Sequence, residues 1–349
     1  MKVLALTRYG RLGASSRLRS YQYQEPLAQH GVEFHIAPLF GDDYVRALYG
    51  RSGRVGHAVK AFSRRLRDLL TARQYDAVWV EKEALPWVPA FVELSLLPRK
   101  TKLIVDIDDA VFHRYDCHRS AIVRNLLGRK IDRVMARADL VVAGNEYLAD
   151  RAQKAGARRV EIVPTVVDLG RYAMRPRPPG ELVTVGWIGS PNTAGYLDIV
   201  KPALEDLSRT IPLRALAIGA RPDQVAGSRF EAVAWSEATE VEQISRFDIG
   251  IMPLPDSPFE RGKCGYKLIQ YMAMGLPVVA SPVGANKTIV RSGVDGLFAT
   301  ESADWLSALT ALCRSPQDRQ SIGASGRKRV EEHYDLAGSA QRLADMLTS

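Results

Sequence analysis

Short, nearly unbroken apolar runs recur along this chain, and stretches of helical period separate them. Val3–Thr7, Val32–Pro38, Ala77–Glu81, Leu103–Ile107, Leu140–Ala143 and Val160–Val163 are such runs in the first half. A strand with one wet face alternates apolar and polar residues. A continuous run marks a strand covered on both faces, as in a parallel sheet layered between helices. Between the runs, Val59, Phe62, Leu66, Leu69 and Leu70 repeat near 3.6, and so do Val123, Leu126, Leu127, Ile131 and Val134. The pattern predicts a doubly wound parallel α/β domain. It halts at RYAMRPRPPG (171–180), where three prolines and little apolar content read as a linker. It restarts with Leu182–Ile188, Leu213–Ile218, Ala232–Trp235, Asp248–Leu254 and Pro277–Ala280, and the chain is mostly helical from Ala303 on. The expected organisation is a Rossmann-like domain over 1–170, a linker over 171–181, a second Rossmann-like domain over 182–332, and a helix over 333–349 packing back on the first. Two such domains are expected to face across a cleft, with ligands at the carboxyl ends of strands.

Charge divides along the same boundary. Of the 349 residues, 1–170 carry 28 Lys and Arg against 19 Asp and Glu, whereas the rest carry 20 of each, so the whole net charge of +9 falls in the first half. The halves are therefore expected to face different partners, the basic one an acidic surface or substrate. Nucleic acid is disfavoured because no recognition motif accompanies the charge. Cys117, Cys264 and Cys313 are too few and too scattered for a disulfide framework or a zinc ribbon, which fits a reducing compartment. The opening MKVLALTRYG reads as a first strand rather than a signal-peptide core, since Arg8 ends its apolar run. No stretch approaches the roughly 18–20 apolar residues of a membrane span. A cytoplasmic location is the expectation.

Four loops after strands carry candidate chemistry. RYGRLGASSR (8–17) has Gly10 and Gly13 for a tight turn and Ser15 or Ser16 to cap a helix. Arg17 or Arg19 adds charge for an anion, unless this is an ordinary strand–helix turn. It lacks the third glycine of the dinucleotide fingerprint, which disfavours a nicotinamide enzyme. DIDD (106–109) sets three carboxylates within four residues, a repulsive arrangement that requires relief. A divalent metal, salt bridges with capping, or an active-site carboxylate beside a sugar hydroxyl are the readings left open. GWIGSPNTAGYL (186–197) offers Gly189 and Ser190 as a second phosphate cradle, with Asn192 or Thr193 as a cap. ERGKCGYKLIQYMAMGLPVVAS (260–281) is the most informative, because Gly262, Lys263, Gly265 and Lys267 precede or open a helix. Backbone amides and two ammonium groups at one helix N-terminus suit a diphosphate. Cys264 has no nearby histidine for a nucleophilic role, and His113 is expected to cap or to meet solvent rather than substrate. Trp187 and Trp235 are expected to pack in the core or to stack on a base.

At YMAMGLPVVAS (271–281), with Gly284, Val290, Gly293, Asp295 and Gly296, the chain resembles the retaining glycosyltransferases of GT-B fold, glycosyltransferase family 4. VPTVVD (163–168) and VAGNE (142–146) resemble the family's approaches to its interdomain linker. The resemblance implies that the second domain binds a nucleotide-sugar donor and the first a glycan or lipid-linked acceptor. It also implies a transfer that retains configuration without a metal or other cofactor. Gln270 falls on the second position of the family's Glu-x7-Glu pair, whose first position here is Gly262, with Glu260 two residues before it. The basic pair usual after the first strand of that domain is absent from 186–197, so the positive charge falls to Lys263, Lys267 and Arg17. By resemblance the donor contacts are Gly13, Ser16, Arg17, Gly189, Ser190, Glu260, Lys263, Gly265, Tyr266, Lys267, Leu268 and Gln270. Asp108 and Asp109, where many members carry a His-Asp pair, and Lys267 are the candidates for catalysis. The alternatives are a nucleotide-sugar-binding protein without catalysis and a nucleotide-sugar epimerase of the same fold. The basic helical stretches around Lys60, Arg64, Arg65 and Arg67, and around Arg119, Arg124, Arg129, Lys130 and Arg133, suggest peripheral contact with anionic membrane or a lipid diphosphate.

Overall fold

The computed structural model describes residues 1–50, 55–174 and 182–349. Most of the segment read as a linker, residues 175–181, lies outside the described residues. The chain forms two compact units. Unit 1 comprises Met1–Thr165, Arg261–Cys264 and Leu336–Ser349; unit 2 comprises Val166–Glu260 and Gly265–Asp335.

Unit 1 is built on a six-stranded sheet of β1 (Lys2–Tyr9), β2 (Glu33–Phe40), β3 (Ala77–Glu81), β4 (Lys102–Ile107), β5 (Leu140–Ala143) and β6 (Val160–Ile162). Its order is β2-β1-β3-β4-β5-β6 and every pairing is parallel. Strand β3 is buried from end to end, as its continuous apolar run requires. The helix Leu336–Thr348 belongs to this unit, with Ser339 Oγ 2.8 Å from the Tyr23 hydroxyl and Lys102 Nζ donating to the Leu347 carbonyl at 2.9 Å.

Unit 2 repeats the plan with β7 (Val183–Ile188), β8 (Leu213–Ile218), β9 (Phe230–Val233), β10 (Ile249–Met252), β11 (Val278–Ala280) and β12 (Leu297–Phe298), in the order β12-β11-β10-β7-β8-β9. These pairings are parallel too. Trp187, Leu197, Leu204, Trp305 and Leu309 centre its core. The expected doubly wound, two-domain α/β architecture is therefore present. Strand β12 escapes the sequence pattern because two residues are too few to show a period.

Two helical readings change. In the helix Val55–Thr71, the buried positions include Ala61, Arg65 and Leu69, whereas Val59, Leu66 and Leu70 are exposed. The inward stripe runs through a charged residue, so apolar spacing alone pointed to the wrong face. The second stretch divides into helices Ala121–Leu127 and Lys130–Arg137. Of the basic residues read as two surface faces, Arg65 and Lys130 are in fact 1% exposed. Lys130 Nζ sits 2.6 Å from Glu83 and 3.0 Å from Glu93, all three inside the unit. Among the described residues, no helix is long and apolar enough to cross a membrane.

Candidate functional site

In a doubly wound sheet the binding crevice opens beyond the carboxyl ends of the strands, where the strand order reverses. That reversal falls between β1 and β3 in unit 1 and between β7 and β10 in unit 2. The predicted loops after β1, β7 and β10 lie at these places, and DIDD closes β4, the strand beside β3.

The unit 1 site is a buried charge network. Asp106 is clasped by Arg19, whose Nε lies 3.1 and 3.2 Å from its two oxygens and whose Nη1 donates to the Val163 carbonyl at 2.7 Å. Asp108 faces Lys82, Nζ to Oδ1 at 2.8 Å, and Lys82 also donates to Ser15 Oγ at 2.9 Å. Asp109 lies between Lys82 at 3.6 Å and Lys263 at 3.7 Å. Each of the three carboxylates is thus answered by a side-chain cation, which supplies the relief that DIDD requires. Burial alone would raise the Asp108 carboxyl, but Lys82 and Arg19 together outweigh it, so its pKa falls below the usual carboxylate value. Burial would lower the Lys82 ammonium, and Asp108 and Asp109 more than reverse that. Lys82 itself sits in the left-handed region, with φ at +65°. A non-glycine residue there costs on the order of 1–3 kcal/mol and persists only where its surroundings hold it. Here the Lys82 amide donates to the Asp106 carbonyl at 2.8 Å and its ammonium meets Asp108 and Asp109.

Glu81 is wholly buried and its pKa is raised by that burial. Its Oε2 accepts from Ser16 Oγ at 2.7 Å and from the Arg8 amide at 3.1 Å. Ser16 Oγ in turn accepts from the Tyr9 amide at 3.1 Å. The predicted donor contact at Ser16 is corrected: its hydroxyl ties β1 to β3 from inside the unit. Arg17, 5% exposed, reaches back toward the Arg11 carbonyl at 3.4 Å. Neither Ser15 nor Ser16 caps the helix Ala14–Arg19. Gly13 stands at the N-cap, where a Cβ would meet the Tyr9 side chain at 2.4 Å.

The 260–281 loop divides between the units. Arg261–Cys264 packs in unit 1, where Asn145 Nδ2 donates to the carbonyls of Gly262 and Lys263, each at 3.1 Å, and the Cys264 thiol donates to the Asp108 carbonyl at 3.1 Å. A Cβ on Gly262 would fall 2.7 Å from the Ala110 amide nitrogen. A residue with a side chain, such as the family's glutamate, does not fit there without a shift. Cys264 is held as a thiol by burial, which pushes its pKa well up. Within unit 1, Lys263 pairs with Asp109.

In unit 2 the helix Tyr266–Ala273 opens on Gly265, whose φ of +64° is left-handed and whose Cβ would strike Ile289 at 2.2 Å. Glycine is needed here on both counts. Lys267 is partly exposed at the first turn, its Nζ 5.2 Å from the centroid of the buried Trp187 ring. Leu268, one of the predicted donor contacts, has its side chain in the core. Tyr266 Oη lies 3.4 Å from the Tyr172 hydroxyl. Gln270, 3% exposed, donates from Nε2 to that same hydroxyl at 2.7 Å. Tyr172 donates to Glu240 at 2.8 Å, and Arg171 and Trp235 Nε1 donate to Glu240 at 2.8 and 2.9 Å. Glu260 accepts from Tyr196 at 2.6 Å and from Ser257. At the end of β7, a Cβ on Gly189 would meet the Trp187 ring at 2.3 Å, and the Ser190 amide donates to Thr193 Oγ1 at 3.3 Å.

Lys82, Glu81, Tyr172 and Glu240 were not among the predicted site residues. For the first two a signal existed: EKE (81–83) closes an apolar strand with three charges, as DIDD does. For Tyr172 and Glu240, distant in sequence from Gln270, none did.

Residues 180–315 match the family described as Glycosyl transferases group 1. A D-inositol 3-phosphate glycosyltransferase of Nocardia farcinica is 29% identical over 230 residues, which are 56% of this chain and 49% of that protein. A glycosyltransferase named for teichuronic acid biosynthesis, TuaH of Bacillus subtilis, is 25% identical over 169 residues, 43% of this chain and 42% of that one. The matched stretch thus spans about half the length of these relatives. Among solved structures, Anabaena Alr3699/HepE in complex with UDP and glucose shares the fold at a TM-score of 0.74 over 100% of both chains, with 17% identity. Sucrose-phosphate synthase from Thermosynechococcus elongatus does so at 0.72 over 99% of this chain and 98% of that one, with 15% identity. Over residues 180–315 the chain is thus similar to the group 1 glycosyl transferases, and the fold around that stretch is one of two Rossmann-like units.

Proposed function

We propose that this protein is a retaining glycosyltransferase that moves a sugar from a uridine diphosphate sugar to a glycan or lipid-linked acceptor in surface polysaccharide or glycolipid synthesis. The observation that carries the reading is the helix Tyr266–Ala273, opening on left-handed Gly265 with Lys267 in its first turn, inside the stretch that matches the family. The choice of uridine rests on the Anabaena complexes with UDP and with UDP-glucose. The choice of a polysaccharide pathway rests on TuaH.

Breaking the anomeric C–O bond leaves charge on the departing diphosphate. A helix N-terminus and an ammonium group stabilise such charge without reorganising, the arrangement that lowers barriers most. In this reading Lys267 and the amides of that helix face the diphosphate. Gly189, Ser190, Glu260 and Gln270 are the remaining donor contacts of unit 2. Asp108 and Asp109 orient sugar hydroxyls, with Lys82 holding Asp108 ionised. The leaving phosphate takes the acceptor proton, so neither a protein base nor a metal is assigned. Exposed Lys60, Arg67, Arg119, Arg124, Arg129 and Arg133 give the acceptor unit a cationic surface suited to a lipid diphosphate or an anionic membrane at the cytoplasmic side.

One observation favours a second reading, a nucleotide-sugar-binding protein without catalysis: Gln270 stands where the family places an acid, and its amide is engaged by Tyr172. A melting panel of UDP, GDP, ADP, CMP and TDP tests the shared donor site. UDP is expected to stabilise by about 2.7 kcal/mol at a hundredfold excess over Kd, and the other bases by less. Equal shifts for all five would remove the uridine assignment, and no shift would remove the donor site.

A further inference from the structure

Away from the network of Asp108 and Lys82, unit 1 gathers three side chains of unlike donor chemistry. His113 and Asp116 lie three apart on one helical turn, His113–Asp116, and therefore share a face; Cys117 follows at the next position. His113 Nδ1 is 2.9 Å from Asp116 Oδ1 and 3.6 Å from Cys117 Sγ, and the three donor atoms all lie within 4.8 Å of one another. A tetrahedral ion holding nitrogen, oxygen and sulfur at ordinary bond lengths separates such atoms by about 3.3–3.8 Å. The cluster reaches that spacing with movements of a few tenths of an ångström at His113 and Asp116, and a larger one at most for the exposed Cys117.

The surrounding groups fix the donors in the way metal ligands are fixed. The other ring nitrogen, His113 Nε2, is 2.7 Å from the Tyr147 hydroxyl, which leaves Nδ1 facing Asp116 and Cys117. Arg151 lies 3.1 Å from Asp116 Oδ2, is held by Asp132 at 2.7 Å, and stacks over the Phe112 ring at 4.7 Å. It orients the carboxylate while Oδ1 stays toward the histidine. Asp116 also borders an open pocket of about 410 Å³ shared with Arg124, Arg129 and Lys154, which admits small molecules beside the cluster.

We propose that His113, Asp116 and Cys117 form an open three-ligand site for a thiophilic divalent cation such as Zn²⁺. A carboxylate and a thiolate balance the two positive charges, neutral imidazole completes the set, and the thiol proton leaves to solvent as the metal–sulfur bond forms. The site is independent of the donor chemistry proposed above.

Titration of the untagged full chain with Co²⁺ under reductant, without nucleotide sugar, tests this. Cobalt reports a bound thiolate by a ligand-to-metal charge-transfer band, and Zn²⁺ should bleach it. One Co²⁺ per chain is expected, with the band lost in Cys117→Ser and affinity weakened at least tenfold in His113→Ala. Cys117 is exposed, so the serine variant keeps its core, and unchanged circular dichroism and melting of the metal-free variant verify that. Absence of the band in the wild-type chain, or its persistence in Cys117→Ser, would overturn the proposal.

Discussion

Lys82 shows how much of unit 1 rests on a single side chain. It is 5% exposed, sits at a left-handed φ, and stands against Asp108, Asp109 and Ser15. Removing one partner of a buried ion pair strands the other charge, at a cost of about 3–5 kcal/mol. Lys82→Met is accordingly expected to lower stability by that order in denaturant melts at neutral pH. The pH dependence has a definite sign. Because Lys82 holds the Asp108 pKa below its ordinary value in the folded chain, the stabilisation is complete above the unfolded value, near 4. It is lost as pH falls through the depressed folded value. The gap between wild type and Lys82→Met should therefore narrow below about pH 4, and a gap that stays constant down to pH 2 would contradict the pairing. Arg65 is the opposite case. It is 1% exposed, its Nη2 donates to the Thr7 carbonyl at 2.5 Å, and burial lowers its pKa to about 10. Apolar periodicity could not reveal that an inward position of a helix holds a guanidinium, because the compensating carbonyl comes from a strand nearly sixty residues away.

At the scale of elements, the helix Tyr266–Ala273 depends on the glycine before it. Replacing Gly265 by alanine forces a left-handed alanine and sets a methyl against Ile289. The strain is on the order of 1–2 kcal/mol, and it falls at the helix end assigned to the diphosphate. Gly265→Ala should lower the melting midpoint and weaken UDP binding together, as isothermal titration and melting would record; weakened stability with unaltered UDP affinity would detach the helix end from the nucleotide. The strands were legible before the structure because continuous apolar runs have one cheap solution, burial on both faces. The division of the 260–281 loop was not. What draws Lys263 to Asp109 and Cys264 to the Asp108 carbonyl is packing between segments about 155 residues apart, which leaves no local period.

For the molecule as a whole, the first half of the chain concentrates the charge and the second carries the recognisable domain. Charge counts gave the asymmetry but not its use: Arg19, Arg65, Lys82 and Lys130 are buried in unit 1, and three of them neutralise buried carboxylates. Part of the excess is thus structural, and only the exposed remainder is open to a partner. The site in unit 2 was legible through a dense local motif, whereas the one in unit 1, built from β1, β3 and β4 together, was legible only as loops of interest. On the reading proposed above, the protein transfers a sugar from a nucleotide donor. The most direct test is proton NMR of UDP-sugars incubated with the full chain and with Lys267→Ala, following release of UDP and the configuration of the first sugar product. Wild type should release UDP, slowly to water, with the anomeric configuration kept, and Lys267→Ala should be slower by about 10²–10³-fold. A wild-type chain that binds UDP yet releases none above the blank, or a Lys267→Ala variant as fast as wild type, would contradict the account.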